Sequence, residues 1–141
     1  MDLVLWRHAE AQETAPDGDD LLRPLTPRGE RQAARMAAWL DRQLPEGARV
    51  LVSPAVRARQ TAEALDRKHK LCKELAPGSS ATDLFRLVGW PQGRSPVLVV
   101  GHQPTLGQAI AGLLGLPEHE CAVRKGAVWW LRWRERHGTP Q

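Results

Sequence analysis

The stretch LVLWRHAEAQ, residues 3 to 12, decides how this chain folds. Its first four residues are apolar and prone to form a strand, and Arg7 and His8 follow them directly. Continuous apolar runs of this kind are typical of strands that are buried on both faces of a parallel sheet. The stretch therefore predicts a central strand that ends on a cation and an imidazole.

The size of the chain favours one domain with a packed core. Of its 141 residues, 42% are hydrophobic, and we expect a single domain over residues 1–141. No apolar run approaches the roughly 18 to 20 residues that a membrane span needs. The chain passes from Met1 into the first strand without a signal-peptide pattern, so we expect a cytoplasmic protein that does not associate with a membrane. Cys72 and Cys121 are expected to be reduced packing residues.

The net charge and the distribution of basic residues indicate which kind of partner the protein binds. Lysine and arginine number 20 against 16 acidic residues, which gives +4 and suits either a nucleic acid or an anionic phosphorylated substrate. The basic residues are scattered through helical patterns and form no lysine-arginine block. Nucleic acid is therefore not the expected partner.

Further strands alternate with helical patterns. The predicted strands are RVLV (49–52), VLVV (97–100) and AVWWLRW (127–133), the last with the period of a half-exposed closing strand. Helix start signals occur at Thr26–Pro27, Ser53–Pro54 and Gln103–Pro104. Within residues 70 to 90 we expect a short strand in KLCKEL and a small helix capped by Ser80 and Asp83. This alternation predicts an α/β fold, a single three-layer α/β/α domain with a mostly parallel central sheet.

The residues that follow the predicted strands form one chemical set. Ligands bind at the carboxyl ends of parallel strands, and these ends deliver Arg7, His8 and His102, with Arg57 one helical turn after the second strand. Two guanidiniums suit the oxygens of a phosphoryl group. A neutral imidazole can attack phosphorus and form a phosphohistidine. We interpret His8 as the nucleophile, His102 as its hydrogen-bonding partner, and the two arginines as the phosphoryl clamp.

These motifs resemble those of the histidine phosphatase superfamily, which is also called phosphoglycerate-mutase-like. RHA (7–9) is similar to its Arg-His-Gly tripeptide, with Ala9 in place of the usual glycine. SPAVRARQTAE (53–63) resembles the segment that provides the second arginine, here Arg57, and VGHQP (100–104) the segment that provides the second histidine, His102. RPLTPRG (23–29) and KGAVWWLRW (125–133) are most similar to the SixA-type branch, the small bacterial phosphohistidine phosphatases.

The resemblance implies a two-step phosphatase that needs no metal and no cofactor. Many relatives place an acidic general acid either after the third strand or directly after the second histidine. This chain has Gln103 at the latter position. Asp83 and Glu74 are alternative general acids, although a role as a helix cap is the simpler explanation of Asp83. A phosphohistidine substrate would lessen the need for an acid, because its basic nitrogen can take a proton from water.

Several functions stay open at this point. The leading hypothesis is a phosphatase for phosphohistidine in a protein, such as a histidine-phosphotransfer domain in signal transduction. The alternatives are a phosphatase for a small phosphoester and a non-catalytic module that binds phosphoproteins. No metal site is expected, since HEC (119–121) lacks a second ligand pair at suitable spacing.

Overall fold

Strands and helices alternate along the computed structural model, which describes residues 1–15 and 17–134. The strands are β1 (Asp2–Arg7), β2 (Arg49–Val52), β3 (Lys70–Leu71), β4 (Val97–Gly101) and β5 (Val128–Arg132). The α-helices are α1 (Pro27–Gln43), α2 (Val56–Glu63), α3 (Ala81–Val88) and α4 (Thr105–Leu114), with short 3-10 turns at Asp20–Leu22 and Lys73–Leu75. The four strands predicted first are therefore present, and KLCKEL contributes the fifth.

The five strands form one sheet in the order β3-β2-β4-β1-β5. β1 and β2 both run parallel to β4, and β3 runs parallel to β2, whereas β5 closes the sheet antiparallel to β1. β2, β4 and β1 are adjacent, so their carboxyl ends lie side by side. We call this edge of the sheet the rim. The mostly parallel α/β architecture predicted from the sequence is confirmed.

Side chains of the central strands alternate between two cores. Leu3 and Leu5 of β1 pack with α3 and α4 on one face, whereas Val4 and Trp6 pack with α1 and α2 on the other. All four side chains are buried completely. The apolar run is continuous because β1 is covered on both faces, and this gives the domain its three layers.

Of the three side chains predicted to cap helices, two are confirmed and one is corrected. Thr26 caps α1 by accepting from the Gly29 amide, and Ser80 caps α3 by accepting from the Asp83 amide. The interpretation of Ser53 as the cap of α2 is wrong. The cap residue is Ala55, without a side-chain hydrogen bond, and the Ser53 hydroxyl contacts the His102 ring instead.

Two further expectations concern cysteines and membranes. Cys72 and Cys121 are free thiols that pack on the core between the sheet, α3 and α4. In the part of the chain that the structure describes, none of the helices is long and apolar enough to cross a bilayer.

Candidate active site

The rim brings the two predicted histidines together. The His8 amide donates to the Gly101 carbonyl across the β1–β4 boundary, and His102 follows Gly101 directly. The two rings lie with their centroids 5.1 Å apart. Both side chains are almost fully buried, with His8 6% and His102 4% exposed. One buried pair of imidazoles therefore results from two strands that are neighbours in the sheet.

The proton position on His8 follows from its hydrogen bond. Its Nδ1 lies 2.7 Å from the Ala9 carbonyl oxygen, which can only accept. Nδ1 therefore carries the proton, and Nε2 keeps its lone pair. Burial is the largest cause that lowers the pKa of His8, to about 4. The hydrogen bond to Ala9 raises this pKa, whereas the nearby charges of Arg57 and Arg7 lower it. The ring is thus neutral at pH 7, as a nucleophile must be.

His102 has a different environment. Its Nε2 lies 2.7 Å from the Ser53 hydroxyl oxygen, while its Nδ1 is buried and has no hydrogen-bond partner within the described residues. Burial is the largest cause that lowers the pKa of His102, to about 3, and the nearby charge of Arg57 acts in the same direction. This ring is also neutral at pH 7.

The two predicted arginines are held by different contacts. Arg7 Nη1 donates to the Val123 carbonyl at 2.7 Å. Arg57, buried in the first turn of α2, donates from Nη1 to the Asp20 carbonyl and from Nη2 to the Asp20 carboxylate. The Nε atoms of both arginines are buried without a partner in the described chain. Both guanidiniums thus keep a free donor inside a buried cluster.

Sequence reasoning missed two side chains that support this cluster, those of Asp20 and Thr61. Asp20 pairs with Arg57 and also accepts from Arg23 Nε at 2.9 Å. Thr61 accepts from the Ala9 amide and donates to the Arg57 carbonyl, so it connects the nucleophile segment to α2. The signal for Thr61 was its position one turn after Arg57. Asp20 lies in a loop rich in turn residues, where no periodicity marks it.

The proposed general acid, Asp83, takes part in none of these hydrogen bonds among the described residues. The amide of Asp83 is capped by Ser80, and among the described residues no hydrogen bond or ion pair joins its carboxylate to the four predicted site residues. Gln103 has a structural role, because its Nε2 donates to the Cys121 carbonyl and its Oε1 accepts from the Gly107 amide. Both ends of the Gln103 amide are thus engaged by other segments, and the role of Asp83 as a general acid stays a prediction.

Ala9 fits the site without backbone strain. It is fully buried against Ala11, Leu25 and Ala33. Among the described residues other than glycine, only Asp66 has a positive φ. Alanine therefore takes the place of the usual glycine without the cost of a left-handed conformation.

The comparison with protein families agrees with this geometry. The family model of the histidine phosphatase superfamily (branch 1) matches residues 3–79. The chain belongs to the histidine phosphatase superfamily. The match covers β1 with Arg7 and His8, and it covers α2 with Arg57.

Relatives of this histidine phosphatase include SixA-type proteins. Phosphohistidine phosphatase SixA of Escherichia coli (strain K12) is 36% identical over 123 residues, which are 80% of this chain and 74% of that protein. The structure of the protein histidine phosphatase SixA complexed with tungstate has a TM-score of 0.78 at 31% identity, with 94% of this chain and 88% of the other covered. A structure from Nakamurella multipartitia assigned to SixA has a TM-score of 0.69 at 37% identity, with 79% of this chain and 64% of the other covered.

These relationships confirm the superfamily, the SixA-like character and the assignment as a histidine phosphatase enzyme that the sequence predicts. They favour an enzyme over the non-catalytic binding module. Within residues 1–15 and 17–134, no three His, Cys, Asp or Glu side chains group as metal ligands would. The chemistry available at the rim consists of two neutral imidazoles and two guanidiniums.

Proposed function

We propose that this histidine phosphatase removes the phosphoryl group from phosphohistidine in a protein, through a covalent phosphohistidine on His8. The observation that carries the proposal is the hydrogen bond from His8 Nδ1 to the Ala9 carbonyl, 2.7 Å long. It leaves Nε2 as the free nucleophilic atom of a neutral ring. The proposed setting is the cytoplasm, and the proposed substrate is a histidine-phosphotransfer domain or another phosphorylated signalling protein.

In the first step, the lone pair of His8 Nε2 attacks phosphorus. The P–N bond to the substrate imidazole breaks, and its electron pair returns to that nitrogen, which takes a proton from water. The phosphoryl group is then bonded to Nε2 of His8. In the second step, water attacks phosphorus and gives its proton to the hydroxide left by the first step. The P–N bond to His8 breaks, its electron pair returns to Nε2, and inorganic phosphate leaves.

The neighbouring cations and His102 stabilise the charge on the transferring group. Arg7 and Arg57 remain charged at every biological pH and offer planar sets of N–H donors to the phosphoryl oxygens. His102 is proposed to hydrogen-bond an equatorial oxygen. Donors that are fixed before the reaction stabilise a transition state without the cost of rearrangement.

The proposed leaving group does not require a carboxylic acid at position 103. Gln103 cannot donate a proton as an acid would, and its amide is occupied by Cys121 and Gly107. Alkoxide leaving groups require protonation, whereas the nitrogen of phosphohistidine is basic enough to take a proton from water. The proposal therefore favours phosphohistidine over alkyl phosphate esters.

The experiment that tests this function compares phosphate release from a phosphohistidine protein and from an aryl phosphate, with His8→Ala and His69→Ala as variants. His69 is a matched control, since the one hydrogen bond of its ring among the described residues is with the Arg67 carbonyl, outside the site. We expect His8→Ala to abolish release and His69→Ala to retain it. A rapid quench should trap an acid-labile phosphoryl group on the wild-type protein and none on His8→Ala. Release that survives His8→Ala contradicts the covalent route.

The alternative substrate, a small phosphoester, is separated by the same assay. Equal turnover of alkyl phosphates and the phosphohistidine protein would favour it over the leading proposal. Asp83 is the proposed acid for that case, and Asp83→Asn should then lower turnover of the ester alone. Under the leading proposal, Asp83→Asn changes neither activity.

A further inference from the structure

Ser53 and His102 form a buried contact whose purpose the proposed reaction leaves open. Ser53 follows β2, is completely buried, and places its hydroxyl oxygen 2.7 Å from His102 Nε2. The same oxygen lies 3.2 Å from the Ala55 amide nitrogen, which donates to it. No other hydrogen-bond partner of this hydroxyl occurs among the described residues.

Counting protons decides the direction of the contact. A serine hydroxyl has one proton to donate and two lone pairs that accept. If Ser53 donates to Nε2, the hydroxyl proton, the Nε2 lone pair and the Ala55 amide are all satisfied. If Nε2–H donates to Ser53 instead, the hydroxyl proton is buried without an acceptor. The first arrangement leaves one buried group, the Nδ1 proton, without a partner among the described residues, whereas the second leaves both the hydroxyl proton and the Nδ1 lone pair without one. Unsatisfied buried polar groups are unfavourable, so the first arrangement is favoured.

The direction of the Ser53–His102 hydrogen bond determines whether Nδ1 of the His102 ring carries a proton. A neutral imidazole carries one proton, and an Nε2 that accepts from Ser53 requires that proton on Nδ1. Nδ1 is buried and has no partner among residues 1–15 and 17–134. It is therefore the one ring atom of His102 that is left to donate to a bound phosphoryl oxygen.

A neutral ring makes the tautomer decisive. Burial lowers the pKa of His102 to about 3, so protonation of both nitrogens does not provide the donor at pH 7. In the opposite tautomer, Nδ1 would present a lone pair to the negatively charged oxygens and repel them.

We propose that Ser53 is a positioning residue that holds His102 as its Nδ1–H tautomer, so that Nδ1 donates to an equatorial phosphoryl oxygen. This inference rests on the proposed function, because it requires a phosphoryl group at the His8–His102 pair. Ser53 itself does not touch the substrate.

The first test requires no turnover, and a variant serves only to assign the signals. Long-range ¹H–¹⁵N spectra of the wild-type protein distinguish a protonated from an unprotonated ring nitrogen, with His102→Gln used to assign the signals. We expect His102 to show a protonated Nδ1 and an unprotonated Nε2 at pH 7. A protonated Nε2 overturns the proposal.

The second test uses Ser53→Ala, with Ser53→Thr as the variant that keeps a hydroxyl. Thr105→Val is the matched control, since it removes another buried hydroxyl, one that donates to the Ser79 carbonyl. Ser53→Ala should shift His102 toward the Nε2–H tautomer and lower kcat about tenfold with little change in KM, because one transition-state donor is weakened. Ser53→Thr should restore most of kcat, and Thr105→Val should leave the tautomer unchanged. Equal kcat losses in Ser53→Ala and Thr105→Val, without a tautomer shift, would show a merely structural role.

Tungstate binding separates failure of this inference from failure of the proposed function. Ser53→Ala should bind tungstate severalfold more weakly than the wild type, whether or not a phosphorylated substrate is turned over. If the wild type shows no His8-dependent turnover, the proposed function fails and the tungstate and tautomer results alone decide the role of Ser53. Unchanged tungstate affinity in Ser53→Ala contradicts that role.

Discussion

Arg57 holds Asp20 at two points, with Nη1 2.7 Å from its backbone carbonyl oxygen and Nη2 3.0 Å from its carboxylate. The second carboxylate oxygen accepts from Arg23 Nε at 2.9 Å. Two guanidiniums thus donate hydrogen bonds to one carboxylate, as they could to the oxygens of a phosphoryl group. An anion that binds Arg57 has to compete with Asp20.

Asp20→Asn should bind tungstate more tightly than the wild type. The substitution removes a negative charge beside the site and weakens the contact that competes for Arg57. Because the Asp20 side chain is 59% exposed, the expected gain is modest, about two- to fivefold in Kd. Asp17→Asn makes the same change of charge at an exposed position and should have no effect. Weaker binding by Asp20→Asn would instead mean that Asp20 orients Arg57 for its ligand.

The free energy of unfolding should decrease as the pH is lowered below 6.5. Burial holds the pKa of His8 at about 4 and that of His102 at about 3, whereas both return to about 6.5 when the chain unfolds. The unfolded chain then binds more protons, so the free energy of unfolding decreases as the pH falls from 6.5 toward 4 and 3. Urea unfolding between pH 7.5 and pH 4.5 measures this decrease, which His8→Ala should reduce. An NMR titration of His8 with a midpoint near 6.5 would contradict the prediction.

Gln103→Glu should destabilise the protein without adding an acid catalyst. A carboxylate accepts from the Gly107 amide as the glutamine does, but it cannot donate to the Cys121 carbonyl. The loss of that donor should cost about 1 to 3 kcal/mol of unfolding free energy. Gln108→Glu, at an exposed position of α4, the helix that follows Gln103, is the control and should be nearly neutral. Faster hydrolysis of alkyl phosphates by Gln103→Glu would show that position 103 reaches the leaving group.

Gly29→Ala should disrupt the start of α1. A Cβ on Gly29 would overlap the carbonyl oxygen of Glu10, two residues after His8. We expect a loss of about 2 to 3 kcal/mol in unfolding free energy, typical of overpacking against a rigid neighbour, and a lower kcat. Gly112→Ala is the control, because it adds the same methyl group to an exposed helix position with open space. It should stabilise the protein by about 0.5 to 1 kcal/mol. Equal stability of the two variants would contradict the close approach of Gly29 to Glu10.

Local patterns in the sequence determined the sheet, its helical layers and the four candidate residues at the rim. Leu3 to Trp6 are apolar without interruption because both faces of β1 are covered, and that pattern is legible without coordinates. His8 and His102 were assigned to one rim because parallel strands end at the same edge. The helix start at Gln103–Pro104 and the caps at Thr26 and Ser80 could also be predicted from the sequence, because a helix cap involves residues within one turn.

Only the tertiary structure decided which groups the candidate residues contact. Ser53 has the sequence of a helix cap, yet its hydroxyl bonds a ring 49 positions away, because β2 and β4 are neighbours in the sheet. Asp20 lies 37 positions from Arg57 in a loop without periodicity. Gln103 occupies the position at which many relatives have an acid, and its side chain donates a hydrogen bond to the Cys121 carbonyl. Periodicity and caps record the burial and hydrogen bonds of one segment, whereas the partner of a polar side chain depends on which segments the fold makes adjacent.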